Sequence, residues 1–495
     1  MAIDERKPPE SYALSIAPDG IEIVGGSAAG VFYGAQTLRQ LAGDRGVPLG
    51  RVEDEPRFPW RGVMLDVARH FMPVEDVLRF IDLVSFHKLN FLHLHLTDDQ
   101  GWRFEVPGRP RLTSVGAWRS TTMRGARVHG RYDGEPHGGF YTDDDLRRIV
   151  AHAASRFVTV VPEVDMPGHM QAAIAAYPSL GNGYAGPVRS AWGISTHVLN
   201  MSPESDAFCR DVLAHLCSIF PSPVIGIGGD ECPIDEWSDR PDAAELQGRF
   251  TASMASFLSS LGRRVYGWDE LLARGAPADA VIAAWRGPDA TVAAVNAGLD
   301  VVACPDISCY LDYRQSDDPG EPTPVGTLLT LADVYAFDPV PPGLSPSRIL
   351  GGQANIWTEH MESAARVDYM AFPRLCAFAE KVWSAPSTDY DGFLDRLTGH
   401  LPRLDALGVN YRPLSGPRPG DARPGAPGHP RSLPDRLAEL HEMTADLREA
   451  GLLAGGWSCH PDRNSRKEAA RGGAGGADRL AQQGILPARP LDDGG

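Results

Sequence analysis

Between Arg61 and about Tyr411, short and continuously apolar runs alternate with longer stretches whose apolar residues recur every three to four positions. The apolar runs at 62–67, 91–96, 158–164, 224–228, 264–268, 281–285, 301–304 and 349–356 predict strands. Helical spacing over 73–87, 142–155, 204–219, 242–261 and 367–383 predicts the helices between them. Strands without polar alternation are buried on both faces, as in a parallel sheet covered by helices. Eight such units in about 350 residues predict an α/β fold, a (β/α)8 TIM barrel with insertions. A doubly wound open sheet is the structural alternative, but no Gly-rich phosphate loop follows the first strand.

The flanks differ. Residues 1–55 hold two β-like runs, 12–16 and 21–24, divided by the turn Pro18-Asp19-Gly20, and a helical segment over 28–41. This is too little to fold alone, so it is expected to pack on the barrel of residues 56–412. From 413 to 495 the chain turns Pro-, Gly- and Arg-rich, with helical spacing only over 433–453. Such a tail buries little apolar surface and is expected to be mostly disordered.

Composition narrows the partners. A net charge of −17 among 495 residues argues against nucleic acid, which wants a basic surface. No run is long and apolar enough to span a membrane. The polar start, Met1-Ala-Ile-Asp-Glu-Arg-Lys7, shows no signal sequence, so the chain as written reads as cytoplasmic, or as secreted if its start is truncated. Seven scattered cysteines do not form a disulfide framework.

In such a barrel the chemistry sits at the C-terminal ends of the strands. Those ends carry Arg69 and His70, then His93, His95 and Asp98, then Glu163, Asp165 and His169, then Asp230 and Glu231. Trp268, Trp285, Tyr310, Asp312, Trp357 and Glu359 complete the rim. Aromatic faces for apolar C–H surfaces, with carboxylates and Arg for hydroxyls, suit a sugar. The pair Asp230-Glu231 follows Gly228-Gly229, whose backbone can approach a ligand closely. Glycosidic cleavage needs a proton donor for the leaving oxygen and a stabiliser for the cationic carbon.

Five stretches in order carry a resemblance: Arg61-Gly-Val-Met-Leu-Asp-Val-Ala-Arg-His-Phe71, His93-Leu-His-Leu-Thr-Asp-Asp-Gln-Gly-Trp102, Glu163-Val-Asp-Met-Pro-Gly-His169, Gly228-Gly-Asp-Glu231 and Trp357-Thr-Glu359. The chain resembles glycoside hydrolase family 20, the β-N-acetylhexosaminidases, over about 57–412. Residues 12–41 resemble the end of the small α+β domain that precedes the family's barrel, so 1–55 is expected to be a truncated remnant of it. The resemblance implies a retaining exo-glycosidase acting on terminal N-acetyl-β-hexosamine (GlcNAc or GalNAc), including chitooligosaccharides, with no cofactor and no metal. The substrate's acetamido oxygen would be the nucleophile, through an oxazolinium intermediate. Glu231 would be general acid and then base, Asp230 would hold the acetamido N–H, and Tyr310 would donate to its oxygen. Trp268, Trp285 and Trp357 would box the methyl group, and Arg69, Asp312 and Glu359 would grip hydroxyls. Asp98 and His169 would relay to Glu231.

Two positions depart from the family's pattern. Gly226 stands where His is usual, and Phe337 stands where many relatives carry Trp, so Phe337 is expected at the leaving-group side of the site. Two other functions compete. His93-x-His95 at a strand end would suit a metal-dependent hydrolase, although the two share a strand face and a buried, hydrogen-bonded pair is the preferred reading. The shortened N-terminus and the tail would suit a non-catalytic N-acetylhexosamine-binding protein.

Overall fold

A computed structural model describes residues 1–43 and 46–453. The N-terminal unit is a four-stranded sheet of β1 (Ala2–Ile3), β2 (Tyr12–Ala17), β3 (Gly20–Gly25) and β4 (Gly50–Asp54), in the order β1-β3-β2-β4. Ala17 pairs with Gly20, so Pro18-Asp19 forms the hairpin turn that the sequence signals. Helix α1 (Ala28–Leu41) starts where the Ser27 side chain accepts the Ala29 N–H, and it packs on the sheet through Tyr33. Strand β4, Gly-Arg-Val-Glu-Asp, was hidden from the hydrophobic pattern because only Val52 is a strand-type apolar residue.

The barrel follows. Its strands are β5 (Trp60–Asp66), β6 (Phe91–His95), β7 (Thr159–Glu163), β8 (Val224–Gly228), β9 (Arg264–Trp268), β10 (Val281–Ala284), β11 (Asp300–Ala303) and β12 (Ile349–Ile356). They are all parallel and join in chain order, and β12 closes on β5 with Gly351 opposite Trp60 and Ile356 opposite Leu65. The outer layer includes α2 (Val74–Phe86), α3 (Asp143–Ala154), α4 (Pro203–Ile219), α5 (Ala243–Ser260), α6 (Pro288–Asn296), α7 (Arg374–Trp383) and α8 (Tyr390–Ala406). Every predicted strand is present. The helix expected over 367–383 is two, Ala364–Ala371 and α7, because Pro373 brings no N–H to the turn. Helix α8 escaped the pattern because Gly392, Gly399 and Pro402 interrupt it.

Arg61, fully buried at the start of β5, pairs with Glu10 at 2.7 Å and lies over the Trp383 ring. Lys88, just before β6, pairs with Asp54. The N-terminal unit therefore grips the end of the barrel where the strands begin, opposite the chemistry. Residues 413–453 narrow the expectation of a disordered tail. They form α9 (Leu433–Met443) and α10 (Ala445–Glu449), and Leu440 and Leu447 are buried against the barrel. Ion pairs add to those few apolar contacts: a buried one, Arg436 with Asp306 at 2.6 Å, and one from buried Arg286 to the partly exposed Asp446 at 3.1 Å. The rest of that expectation, at 454–495, lies outside the described residues. No helix among the described residues is long and apolar enough to cross a membrane.

Candidate active site

Strand ends deliver the polar residues to one pocket of about 300 Å³. Arg69, Asp230, Glu231, Trp268, Trp285, Tyr310, Asp312, Trp357 and Glu359 line it. A volume at the bottom of the usual range for small-molecule sites holds one ring and not an extended polymer.

The turn after β8 is built for close approach. Gly228 and Gly229 have φ of +63° and +88°, in the left-handed region. A Cβ at Gly228 would meet the Asp165 carboxylate at 2.0 Å, and Asp165 Oδ1 accepts the Gly229 N–H at 3.0 Å. Glu231 itself sits at φ +45° and His169 at +51°. For a residue with a Cβ this backbone costs about 1–2 kcal/mol, and such strain collects where geometry serves a site.

A buried polar chain climbs the barrel interior to this turn. Glu163 is bonded by His93 at 2.9 Å and by His95, whose other nitrogen meets Asp98 at 2.9 Å. Asp98 also pairs with Arg69 at 2.7 Å and with His169 Nδ1 at 3.2 Å. The far nitrogen of His169 lies 3.7 Å from Asp230 and 3.8 Å from Glu231. Burial opposes charge on both rings, but the carboxylates prevail: Glu163 and Asp98 hold His95 up at about 10. Asp98 and Asp165 hold His169 well above its ordinary value. His93 and His95 are thus spent on hydrogen bonds to Glu163, which is the bland reading of that pair. Gly226 gives Glu163 room, since a Cβ there would meet the Glu163 Cβ at 2.7 Å.

Burial and the neighbouring Asp165 carboxylate push the Asp230 carboxyl well above the usual range. Burial likewise lifts Asp165, hydrogen-bonded to Asp230, to about 7. Burial and mutual repulsion raise Asp312, which faces Glu359. Asp230 Oδ1, Asp312 Oδ1 and His169 Nε2 are buried with no hydrogen-bond partner among the described residues.

The aromatic wall is a continuous surface. Trp268 and Trp357 have ring centroids 5.8 Å apart, Tyr310 and Trp357 6.2 Å, and Trp285 and Tyr310 6.1 Å. Local anchors fix it. Asp269 accepts the backbone N–H groups of Trp285 and Arg286 at 2.7 and 3.0 Å, and Glu270 accepts the Trp285 indole at 3.0 Å. Asp66 ties the end of β5 to Thr358, and so sets Trp357 and Glu359 beside Arg69. Buried Arg374 donates to the carbonyls of Leu311 and Tyr313, which holds the Tyr310–Asp312 loop over the barrel.

One expected binding residue does not arrive. Phe337 is buried outside the barrel, stacked on Phe378 with centroids 5.9 Å apart and packed over Gly352 of β12. Its ring carries no donor and is better buried between strand and helix, so its leaving-group role is withdrawn. Other residues line the pocket unforeseen, among them Trp192, Tyr313, Arg431 and Arg436. Trp192 belongs to a long loop after β7 without strand periodicity, and the two arginines belong to the tail.

Comparison with known proteins accords with this arrangement. Residues 58–386 match glycosyl hydrolase family 20, catalytic domain, and residues 2–55 match domain 2 of that family. A β-hexosaminidase of Porphyromonas gingivalis is 40% identical over 81% of this chain, which spans only 54% of that relative's length. A β-N-acetylhexosaminidase of Cellulomonas fimi is 36% identical, with 84% of this chain and 83% of the relative covered. Among solved structures, the exo-β-N-acetylglucosaminidase of Vibrio harveyi in complex with N-acetylglucosamine superposes with a TM-score of 0.74 at 35% identity, over 83% of this chain and 68% of that one.

Proposed function

The chain belongs to glycoside hydrolase family 20, and on that premise we propose that it removes terminal N-acetyl-β-hexosamine from the non-reducing ends of glycans, including chitooligosaccharides, with retention of configuration. The observation that supports this most directly is a one-ring pocket whose aromatic wall stands beside Asp230 and Glu231, the two acids sharing one cationic imidazole.

The sugar's own acetamido oxygen attacks the anomeric carbon and forms an oxazolinium ring. This substrate-assisted route is an exception to the usual pair of enzymic carboxylates. Trp268, Trp285 and Trp357 enclose the acetamido methyl, so the group can only fold under the ring, and that orientation is the source of rate. Asp230 accepts the amide N–H and stabilises the positive charge that develops on it. Tyr310, whose phenol burial keeps protonated, donates to the acetamido oxygen. Glu231, half-exposed at the mouth, protonates the leaving oxygen and then takes a proton from the attacking water. His169, kept charged by Asp98, holds both acids in place. Arg69, Asp312 and Glu359 bind hydroxyls, which supply the partners that the buried Asp312 oxygen lacks.

The test is a pair of aryl glycosides that differ only at C2. The N-acetyl-β-glucosaminide is expected to turn over by at least about 10³ more than the β-glucoside, a difference of about 4 kcal/mol in barrier. Comparable rates would assign the nucleophile to the enzyme and end the proposal.

A further inference from the structure

Outside the barrel, where α2, α7 and α8 meet, three side chains of metal-binding type converge: His87, Cys376 and His400. Nε2 of His87 lies 3.0 Å from Nε2 of His400, and Sγ of Cys376 lies 3.5 Å from the same His87 nitrogen. A tetrahedral zinc, with bonds of about 2.05 Å to nitrogen and 2.3 Å to sulfur, separates two such nitrogens by about 3.3 Å and a nitrogen from a sulfur by about 3.6 Å. Both separations from His87 are therefore within a few tenths of an ångström of that arrangement, and all three ligand atoms lie within 4.8 Å of one another.

His87 is also in the right tautomer. Its Nδ1 donates to the Leu83 carbonyl at 2.7 Å, so Nε2 carries the lone pair. A backbone acceptor behind a histidine is the partner that orients metal-bound imidazoles. His87 and Cys376 are buried, while His400 is half-buried on a cleft of about 820 Å³, which leaves a fourth position open to water. Two imidazoles and a thiol suit a borderline-soft ion, not calcium or magnesium.

We propose that His87, Cys376 and His400 bind one zinc ion, remote from the catalytic pocket. On binding, the Cys376 thiol loses its proton to solvent, and His400 moves its N–H from Nε2 to Nδ1. The ion would join the first helix of the barrel to the last, across the seam where β12 closes on β5. It takes no part in hydrolysis.

The test titrates the full chain with zinc against a competing chelator and repeats the titration on Cys376→Ser and His400→Ala. Release of the aryl group from the N-acetyl-glucosaminide reports that each variant is folded. Wild type is expected to take up one equivalent, with a rise in thermal midpoint. Either variant is expected to weaken binding by more than about 100-fold, the upper end of what loss of even an outer partner of a ligand costs. Cobalt in place of zinc is expected to show a thiolate charge-transfer band in wild type and none in Cys376→Ser. Equal zinc affinity in wild type and both variants, or a cobalt spectrum without that band, would overturn the site.

Discussion

Asp165 is buried and Asp230 is open only to the pocket; the two are hydrogen-bonded to each other and both raised in pKa. Only one of them is readily charged, and the mechanism needs that charge on Asp230. Asp230→Asn is expected to lower kcat by about 10²–10³, the scale of losing one group that stabilises developing charge, with little change in KM. Glu231→Gln is expected to hurt substrates with poor leaving groups most, and an equal loss across leaving groups would remove its acid role. Asp165→Asn separates the pair. A carboxyl whose folded pKa of about 7 exceeds its unfolded value gives stability that is complete below about 3.9 and lost as pH rises through 7. The non-titrating Asn is therefore expected to gain on wild type as pH rises, raising the thermal midpoint at pH 8 and not at pH 4. Its amide oxygen can still accept the Gly229 N–H. With a neighbour that can no longer take the charge in its place, Asp230 is expected to ionise more readily, and the acid limb of kcat/KM to move to lower pH. A midpoint difference that does not change with pH would contradict the shared proton.

At the scale of elements, the tail helices brace the aromatic pocket. Arg436 of α9 pairs with Asp306, which also accepts the Tyr313 phenol at 2.8 Å, and the guanidinium lies 5.8 Å from the Trp285 ring centroid. Arg286 reaches the Met443 carbonyl and Asp446 from the loop that carries Trp285. Arg436→Met is expected to destabilise by about 3 kcal/mol, because Asp306 is left buried without its cation. It is also expected to lower kcat/KM by about 10- to 100-fold through displacement of two pocket walls. Adding Asp306→Asn is expected to recover most of the stability, as denaturant titration would report. The sequence made the strands legible because each is an apolar run between polar turns. It concealed β4 and α8, and in the tail the spacing over 433–453 announced helices but not the paired charges that pack them on the barrel. Trp192 was concealed for a related reason, since a pocket residue on an irregular loop has no strand end to mark it. Phe337 failed for the opposite reason, because a position inferred by resemblance was filled by a residue that packs elsewhere.

For the whole molecule, the division of labour runs along the barrel axis. The N-terminal unit grips the end where strands begin, through Arg61 and Lys88, while the glycine turn after β8 and the tail helices shape the other end. The order of the five motifs was readable because strand ends converge in this fold, so residues far apart in sequence need only share that position. The central claim is that the bound sugar supplies its own nucleophile. The measurement that tests it most directly is kcat/KM for aryl glucosaminides whose N-acetyl group carries successive fluorines, which weaken the amide oxygen while leaving shape nearly constant. The account predicts a steep, monotonic fall of at least about 100-fold from acetyl to trifluoroacetyl, a barrier change of about 2.7 kcal/mol. Rates that stay within a few-fold across the series would contradict it.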